Sequence, residues 1–344
     1  MSAVAENLPA VPEVDIGVFG DRERFRCEVI ERCQPVIVRG AFSDWPVVRA
    51  AEISPCALRS YLGRFANAER AEAFVGDPSI AGRYSYAEGL DGFNFDRVEI
   101  DLLGALDRIL ASAASPGSST VYIGSLETDI YLPGFSVENR VAILPSSISP
   151  RIWIGNASLV SCHNDNFDNI ACVIAGRRRF TLYPPDAIGD LYIGPVDYTM
   201  SGRPISLAAG SDPGDLRYPR FATAVARAMV ADLLPGDALY LPKLWWHQVE
   251  ATEPFNLLVN YWWDASSIGP DAPYTTMLLA MIAIADRPPA ERAAWQSLFN
   301  HYVFRPDGHP LAHLPEARHG ILGPLRGGNY GRIRALVMQL LRGG

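Results

Sequence analysis

Lysine is almost absent from this sequence of 344 residues, because Lys243 is the only lysine among 30 basic residues. The 38 acidic residues outnumber the basic ones, and the formal net charge is −8 at pH 7. Non-specific binding to nucleic acid or to an anionic membrane depends on clustered positive charge. The charge balance therefore argues against nucleic acid and membrane surfaces as partners.

Cysteines are few, and none of them shows the CxxC spacing of a thiolate metal site. Their odd number, five, does not suggest a disulfide framework. Long apolar runs are missing as well, since the longest, residues 277–285, is too short to span a bilayer. The first residues lack a basic stretch followed by an apolar core. We therefore expect a soluble, unprocessed cytoplasmic protein.

The chain has 49% hydrophobic residues, enough to bury a large core. The secondary-structure pattern of its sequence changes twice along its length. Residues 1–119 mix helical spacing with short apolar runs and are predicted to form an α/β segment packed on the core. Residues 120–266 read as short strands separated by Gly, Pro and Asp, which indicates a β-sandwich or β-barrel core. Within it, 189–219 is predicted to be a long insertion. Residues 267–344 return to helical patterns.

The segment SCHND contains the residues with the clearest chemistry. In an extended strand, residues i and i+2 project to the same side, so His163 and Asp165 can hold one ion while Asn164 points away. His247, in a distant segment predicted to be a strand, supplies a third ligand. Two imidazoles and one carboxylate leave about three of six octahedral positions open, which suits non-haem Fe(II) oxygenases.

An HxD triplet alone is a weak signal, because it arises often by chance and a histidine in a strand is usually structural. The context of His247 strengthens the metal interpretation. The remaining four histidines lie in the helical tail, where we expect loop or surface positions: His301, His309, His313 and His319.

Six segments together resemble the JmjC and cupin-like family of Fe(II)- and 2-oxoglutarate-dependent oxygenases. Within this family, the sequence is most similar to the branch of the asparaginyl hydroxylase of hypoxia-inducible factor. The segments span most of the chain and are PVIVRGAFSDWP, WIGNASLVSCHND, NIACVIAGRRRFTLYPP, LPGDALYLPKLWWHQV, NLLVNYWW and ERAAWQSLFNHYVF.

This resemblance implies a mainly β fold with flanking helices: a double-stranded β-helix (cupin or jelly-roll) core with eight strands and a C-terminal helical extension. It implies that His163, Asp165 and His247 bind Fe(II) at the open mouth of this core. Tyr122 and Asn169 match residues that contact the cosubstrate 2-oxoglutarate in the family.

Three further positions complete the implied cosubstrate site. Asn260 matches a contact residue, and Ser161 stands near a Thr-Pro pair of relatives, where its hydroxyl would reach the cosubstrate. Arg178 occupies the position of a family lysine that binds the distal carboxylate. Arginine can bind a carboxylate through two parallel hydrogen bonds, although it is longer than lysine. Strand alternation would turn Arg177 and Arg179 to the other side.

The expected function is hydroxylation of a protein or peptide side chain, using Fe(II), 2-oxoglutarate and O₂ and releasing succinate and CO₂. Two alternatives stay open: a small-molecule oxygenase on the same fold, and a noncatalytic cupin-like binding module. The second would gain support if Arg178 projected away from the metal. The apolar C-terminal helices, within 274–302 and 333–341, are expected to form a homodimer.

Overall fold

A computed structural model describes residues 8–87, 89, 91–115, 117–200 and 202–342. The chain divides into two compact units, one reaching to residue 265 and one starting at residue 266. Within the described residues, no helix combines the length and apolar character needed to cross a membrane.

The first unit is built on thirteen described strands. Strands occur from residue 120 onward, as predicted, and four more precede that residue. In chain order the strands are β1 (Val36–Val38), β2 (Arg70–Gly76), β3 (Arg83–Tyr84), β4 (Phe95–Asp101), β5 (Thr120–Glu127), β6 (Arg151–Gly155), β7 (Ser158–His163), β8 (Asp168–Ala175), β9 (Arg178–Tyr183), β10 (Met229–Leu233), β11 (Ala238–Leu241), β12 (Trp246–Ala251) and β13 (Asn256–Trp263).

These strands form two sheets. The larger has eight strands in the order β1-β11-β8-β13-β6-β5-β2-β4, and the smaller has five in the order β10-β9-β12-β7-β3. Neighbouring strands pair antiparallel except β3 and β7, which are parallel. The arrangement confirms the predicted jelly-roll fold with flanking helices. Strands β1, β2 and β4 of the predicted N-terminal segment extend the larger sheet.

Among the described residues, seven α-helices flank the sheets of the first unit, and three α-helices belong to the second unit. In chain order they are α1 (Arg22–Phe25), α2 (Pro46–Ile53), α3 (Pro55–Gly63), α4 (Leu102–Ala113), α5 (Thr128–Tyr131), α6 (Phe135–Glu138), α7 (Phe221–Val225), α8 (Pro273–Ile284), α9 (Pro289–Phe299) and α10 (Asn329–Arg342). The C-terminal helical pattern predicted from the sequence is therefore confirmed.

The inner faces of the two sheets share one apolar core, in which Val173 and Leu239 of the larger sheet pack with Phe180 of the smaller. Helices α2, α3 and α4 pack on the outer face of the larger sheet. All eight residues of β8 are buried because both of its faces are covered, which explains the continuous apolar run over residues 170–175.

The insertion between β9 and β10 packs on the outer face of the smaller sheet, where its Leu191 and Ala208 are buried against Trp246. It also extends the edge of β7. The Ser206 N–H donates to the Cys162 carbonyl at 2.7 Å, and Ile205 bridges to His163. The predicted insertion is therefore an ordered wall beside the strand that carries the first candidate ligand.

Candidate metal centre

The three predicted ligands converge at the end of the jelly roll where β7 ends and β12 begins. His163 and His247 are direct cross-strand partners in the antiparallel register of β7 and β12. Their ring centroids lie 4.3 Å apart, and the Asp165 Oδ2 lies 3.7 Å from the His247 Nε2. One ligand atom from each residue lies within 4.8 Å of the others, so the three side chains can hold one metal ion.

Backbone carbonyls orient both imidazoles. The His163 Nδ1 donates to the Ser161 carbonyl at 2.8 Å, and the His247 Nδ1 donates to the Trp245 carbonyl at 3.0 Å. In each case the carbonyl belongs to the residue two positions upstream. Because the Nδ1 atoms are protonated in these bonds, each Nε2 keeps a free lone pair for a metal.

The protonation state of His247 fits the same role. The side chain is buried, and this burial, reinforced by neighbouring His163, lowers the pKa of His247 to about 4, although Asp165 acts in the opposite direction. An imidazole with that pKa is neutral at pH 7, the form that coordinates metals. The donor set of two imidazoles and one carboxylate fits Fe(II) and leaves coordination positions open.

Two predicted cosubstrate contacts are joined in one hydrogen-bonded relay on the inner face of the larger sheet. The Trp153 Nε1 donates to the Asn260 Oδ1 at 2.6 Å, and the Asn260 Nδ2 donates to the Asn169 Oδ1 at 3.1 Å. Because the Asn169 oxygen accepts this hydrogen bond, the orientation of the side-chain amide is fixed and its nitrogen stays available as a donor. Sequence reasoning missed Trp153. Its position between the buried residues Ile152 and Ile154 places it on the opposite face of β6, which is the inner face of the sheet.

Arg178 lies inside the barrel, and its two neighbours point outward as predicted from strand alternation. Its side chain is 4% exposed, its Nε has no hydrogen-bond partner, and no carboxylate of the described residues forms an ion pair with it. Arg177 lies 3.7 Å from Glu253, and Arg179 donates to Asp232. Burial lowers the pKa of Arg178, which shows how strongly the fold desolvates this cation.

Tyr122 lies near enough to Arg178 for each group to affect the pKa of the other. It is buried on the inner face, and burial raises the pKa of its hydroxyl while the Arg178 charge acts in the opposite direction. The Ser161 hydroxyl donates to the Tyr84 carbonyl at 3.2 Å and so ties β7 to β3. Its expected contact with the cosubstrate stays a prediction.

Arg203 of the insertion is a second residue that sequence reasoning missed. Its Nε donates to the Asn164 carbonyl at 2.8 Å, and its Nη2 donates to the side-chain oxygens of Asn164 and Asn166 at 2.8 and 2.9 Å. The guanidinium thus holds the two residues that flank Asp165. No local pattern signals this contact, because the two segments are far apart in sequence.

Comparisons with known proteins agree with this geometry. Residues 22–268 match the cupin-like domain family. The chain is 31% identical over 147 residues to the lysine-specific demethylase JMJ31 of Arabidopsis thaliana, covering 42% of this chain and 25% of that protein. It is 24% identical over 262 residues to the human bifunctional peptidase and (3S)-lysyl hydroxylase JMJD7, covering 67% of this chain and 77% of that protein.

A third relative is the human HSPB1-associated protein 1, which is 30% identical over 147 residues, 41% of this chain. The chain matches 30% of that protein's length and a quarter of the length of JMJ31. The similarity to these two proteins therefore covers less than a third of the length of each.

Replacing a ligand should abolish metal binding without unfolding the protein. We expect the wild-type protein to bind one Co(II), and His163→Ala or Asp165→Ala to weaken that binding by more than about 100-fold, since loss of a mere supporting residue already costs 10–100-fold. Calorimetric titration measures this. His313→Ala, which removes an imidazole from the second unit, is the control; wild-type affinity in either ligand variant would contradict the assignment.

Proposed function

The chain belongs to the cupin-like, JmjC-type domain family, and from this membership and the metal-centre geometry we propose that it is an Fe(II)- and 2-oxoglutarate-dependent oxygenase that hydroxylates a side chain of a protein or peptide. When bound, iron supplies with 2-oxoglutarate and O₂ the oxidising chemistry, and succinate and CO₂ are the coproducts. His163, Asp165 and His247 would hold the iron.

The observation that carries this proposal is the unpaired cation of Arg178. In the register of β9 and β12, His247 lies opposite Leu182, four residues from Arg178 on the same inner face. At ~3.3 Å per residue, Arg178 is about 13 Å from that ligand along the strand, a span that two side chains and a small dicarboxylate can fill. A buried charge is costly without a partner, and the distal carboxylate of 2-oxoglutarate would supply one.

The remaining inner-face residues complete a site for this cosubstrate. The Asn169 nitrogen, oriented through Asn260, would donate to the end of 2-oxoglutarate near the metal. The Tyr122 hydroxyl, held protonated by burial, would donate beside Arg178. Apolar walls on both sheets exclude water, which strengthens each of these hydrogen bonds.

The inward orientation of Arg178 argues against a noncatalytic binding module, for which an outward arginine would have been the expected sign. A protein substrate is supported by the similarity to JMJD7, which is named as a lysyl hydroxylase. The branch of the asparaginyl hydroxylase of hypoxia-inducible factor, suggested by the sequence motifs, stays a prediction. A small-molecule substrate is the alternative that the assay below distinguishes.

We also propose that the second unit forms a homodimer through its apolar helices. Residues 277–284 of α8 are all apolar, yet no residue of this helix is buried in the single chain. Large exposed side chains recur in α10, namely Leu336, Val337, Met338, Leu340 and Leu341. Apolar faces of this size are costly in water, and a second copy of the chain would cover them symmetrically.

The function is tested by turnover with candidate peptides. The wild-type protein, loaded anaerobically with Fe(II) and then given O₂, should form succinate from 2-oxoglutarate and add one oxygen atom to a peptide, detected by mass spectrometry. Asp165→Ala should lose both activities. Turnover stimulated only by small metabolites would indicate the small-molecule alternative, and full turnover in the variant would contradict the oxygenase proposal.

Removing the Arg178 cation should act mainly on cosubstrate binding. A charged hydrogen bond contributes about 1.5–3 kcal/mol, so Arg178→Ala should weaken 2-oxoglutarate binding by about 10- to 100-fold, and Arg178→Lys by less. Calorimetric titration of the metal-loaded protein measures this affinity. Arg177→Ala, which removes an outward cation one residue away, should leave it unchanged; an unaltered affinity in Arg178→Ala would remove this residue from the site.

The dimer is tested by sedimentation at micromolar concentration. The wild-type protein should sediment as a dimer, and Ile282→Glu should shift it to a monomer, because this side chain is 85% exposed in the single chain and a charge would be buried in the interface. Ile53→Glu, at a similarly exposed position of the first unit, is the matched control. A wild-type monomer would contradict the proposed dimer.

A further inference from the structure

The only lysine of the chain lies at the mouth of the jelly roll. Lys243 belongs to the short loop between β11 and β12, four residues before His247. Its Nζ donates to the Asp264 Oδ1 at 2.5 Å and lies 3.4 Å from the Asp168 Oδ2. One ammonium therefore contacts two carboxylates from two other segments.

Each carboxylate belongs to a strand end that carries part of the candidate site. Asp168 is the first residue of β8 and precedes Asn169, and Asp264 follows β13, which carries Asn260. Asp168 is 3% exposed, and it also accepts hydrogen bonds from the Tyr240 hydroxyl at 3.0 Å and the Ala265 N–H at 3.1 Å. Lys243 thus joins the loop that leads to His247 to the ends of β8 and β13.

The residue after Lys243 connects this junction to a metal ligand. The Leu244 N–H donates to the Asp165 carbonyl at 2.8 Å. Leu244 has φ +68°, a left-handed conformation that a branched side chain rarely adopts, and its side chain is nearly half exposed. Since neither burial nor intrinsic preference holds Leu244 in this conformation, its two neighbours must do so. Trp245 is buried and its Nε1 donates to the Cys33 carbonyl at 3.1 Å, and Lys243 is held by its two carboxylates.

The geometry of the contact explains why this position is lysine in a chain that otherwise uses arginine. Two carboxylates approach a single nitrogen from different segments, and a compact ammonium can donate in several directions from one atom. A guanidinium spreads its donors over three nitrogens in one plane and is longer. Arginine here would keep the charge but would displace at least one of the two segments.

We propose that Lys243 is a positioning residue of the metal centre: its ammonium fixes the loop in which Leu244 binds Asp165, and thereby the relative placement of Asp165 and His247. This inference rests on the proposed function only in requiring that these ligands bind a metal. In metalloproteins generally, residues that hold the metal ligands in place contribute to affinity, and their mutation weakens metal binding by about 10- to 100-fold.

The test compares Lys243→Arg and Lys243→Met with Arg59→Met. The control removes a cation that is ion-paired with Asp107 on the helical side of the first unit. Co(II) affinity is measured by calorimetry, and thermal unfolding is measured in the presence of a chelator. We expect both Lys243 variants to bind Co(II) about 10- to 100-fold more weakly. Lys243→Arg should unfold at a temperature similar to the control variant.

A second measurement uses the uniqueness of this lysine. By linkage, if the junction favours metal binding, the bound metal must favour the junction. Co(II) should therefore slow acylation of Lys243 by an amine-reactive ester, as quantified by peptide mapping, and this readout needs no variant. Asp264→Asn should speed the acylation.

The outcomes separate the two proposals. Wild-type Co(II) affinity in Lys243→Arg, or a lowered unfolding temperature in Lys243→Met with unchanged affinity, would overturn the positioning role and leave the proposed function intact. An acylation rate that Co(II) does not change would also overturn it. If the wild-type protein bound no Co(II), both proposals would fall.

Discussion

The register between β7 and β12 is the constraint on which the candidate site depends. It sets His163 directly opposite His247, so that two imidazoles from segments far apart in sequence share one face of the smaller sheet. A shift of one residue would turn one of the two rings to the outer face and separate them by the thickness of the sheet. The buried neighbours of these strands on both faces oppose such a shift, because it would expose the apolar set that forms the core.

The other polar side chains in the interior need hydrogen-bond partners. A barrel whose inner walls are apolar makes each buried polar group costly unless it has a partner. The Trp153 Nε1 and both polar atoms of the Asn260 side chain meet this requirement, and Asn169 meets it through its oxygen. Among the described residues, the Arg178 Nε has no partner. The unpaired Nε of this buried cation is the reason for proposing that the ligand carries a carboxylate.

Local sequence patterns predicted the features of the site that are determined within a single segment. They could not predict contacts between segments that are far apart in the sequence. The alternation around Arg178 depends only on strand geometry, so the sequence alone predicted which side of the strand each arginine faces. Asp165 follows the end of β7, so its place beside the imidazoles depends on the loop conformation as well as on the i, i+2 spacing. The positions of Arg203 and Ser161 depend on which segments meet in space. The Ser161 hydroxyl bonds to Tyr84 because β3 lies parallel to β7, a pairing that no motif announces.

Arg178 and Lys243 are both positively charged, but one lies deep in the barrel and the other at its mouth, and their surroundings differ. Deep in the barrel, the Arg178 Nε has no partner among the described residues, and a planar guanidinium can form two parallel hydrogen bonds to one carboxylate. At the mouth, Lys243 places one nitrogen between two carboxylates that the protein itself supplies. The difference in position and donor geometry, more than in charge, is the reason for proposing a ligand-binding role for Arg178 and a supporting role for Lys243.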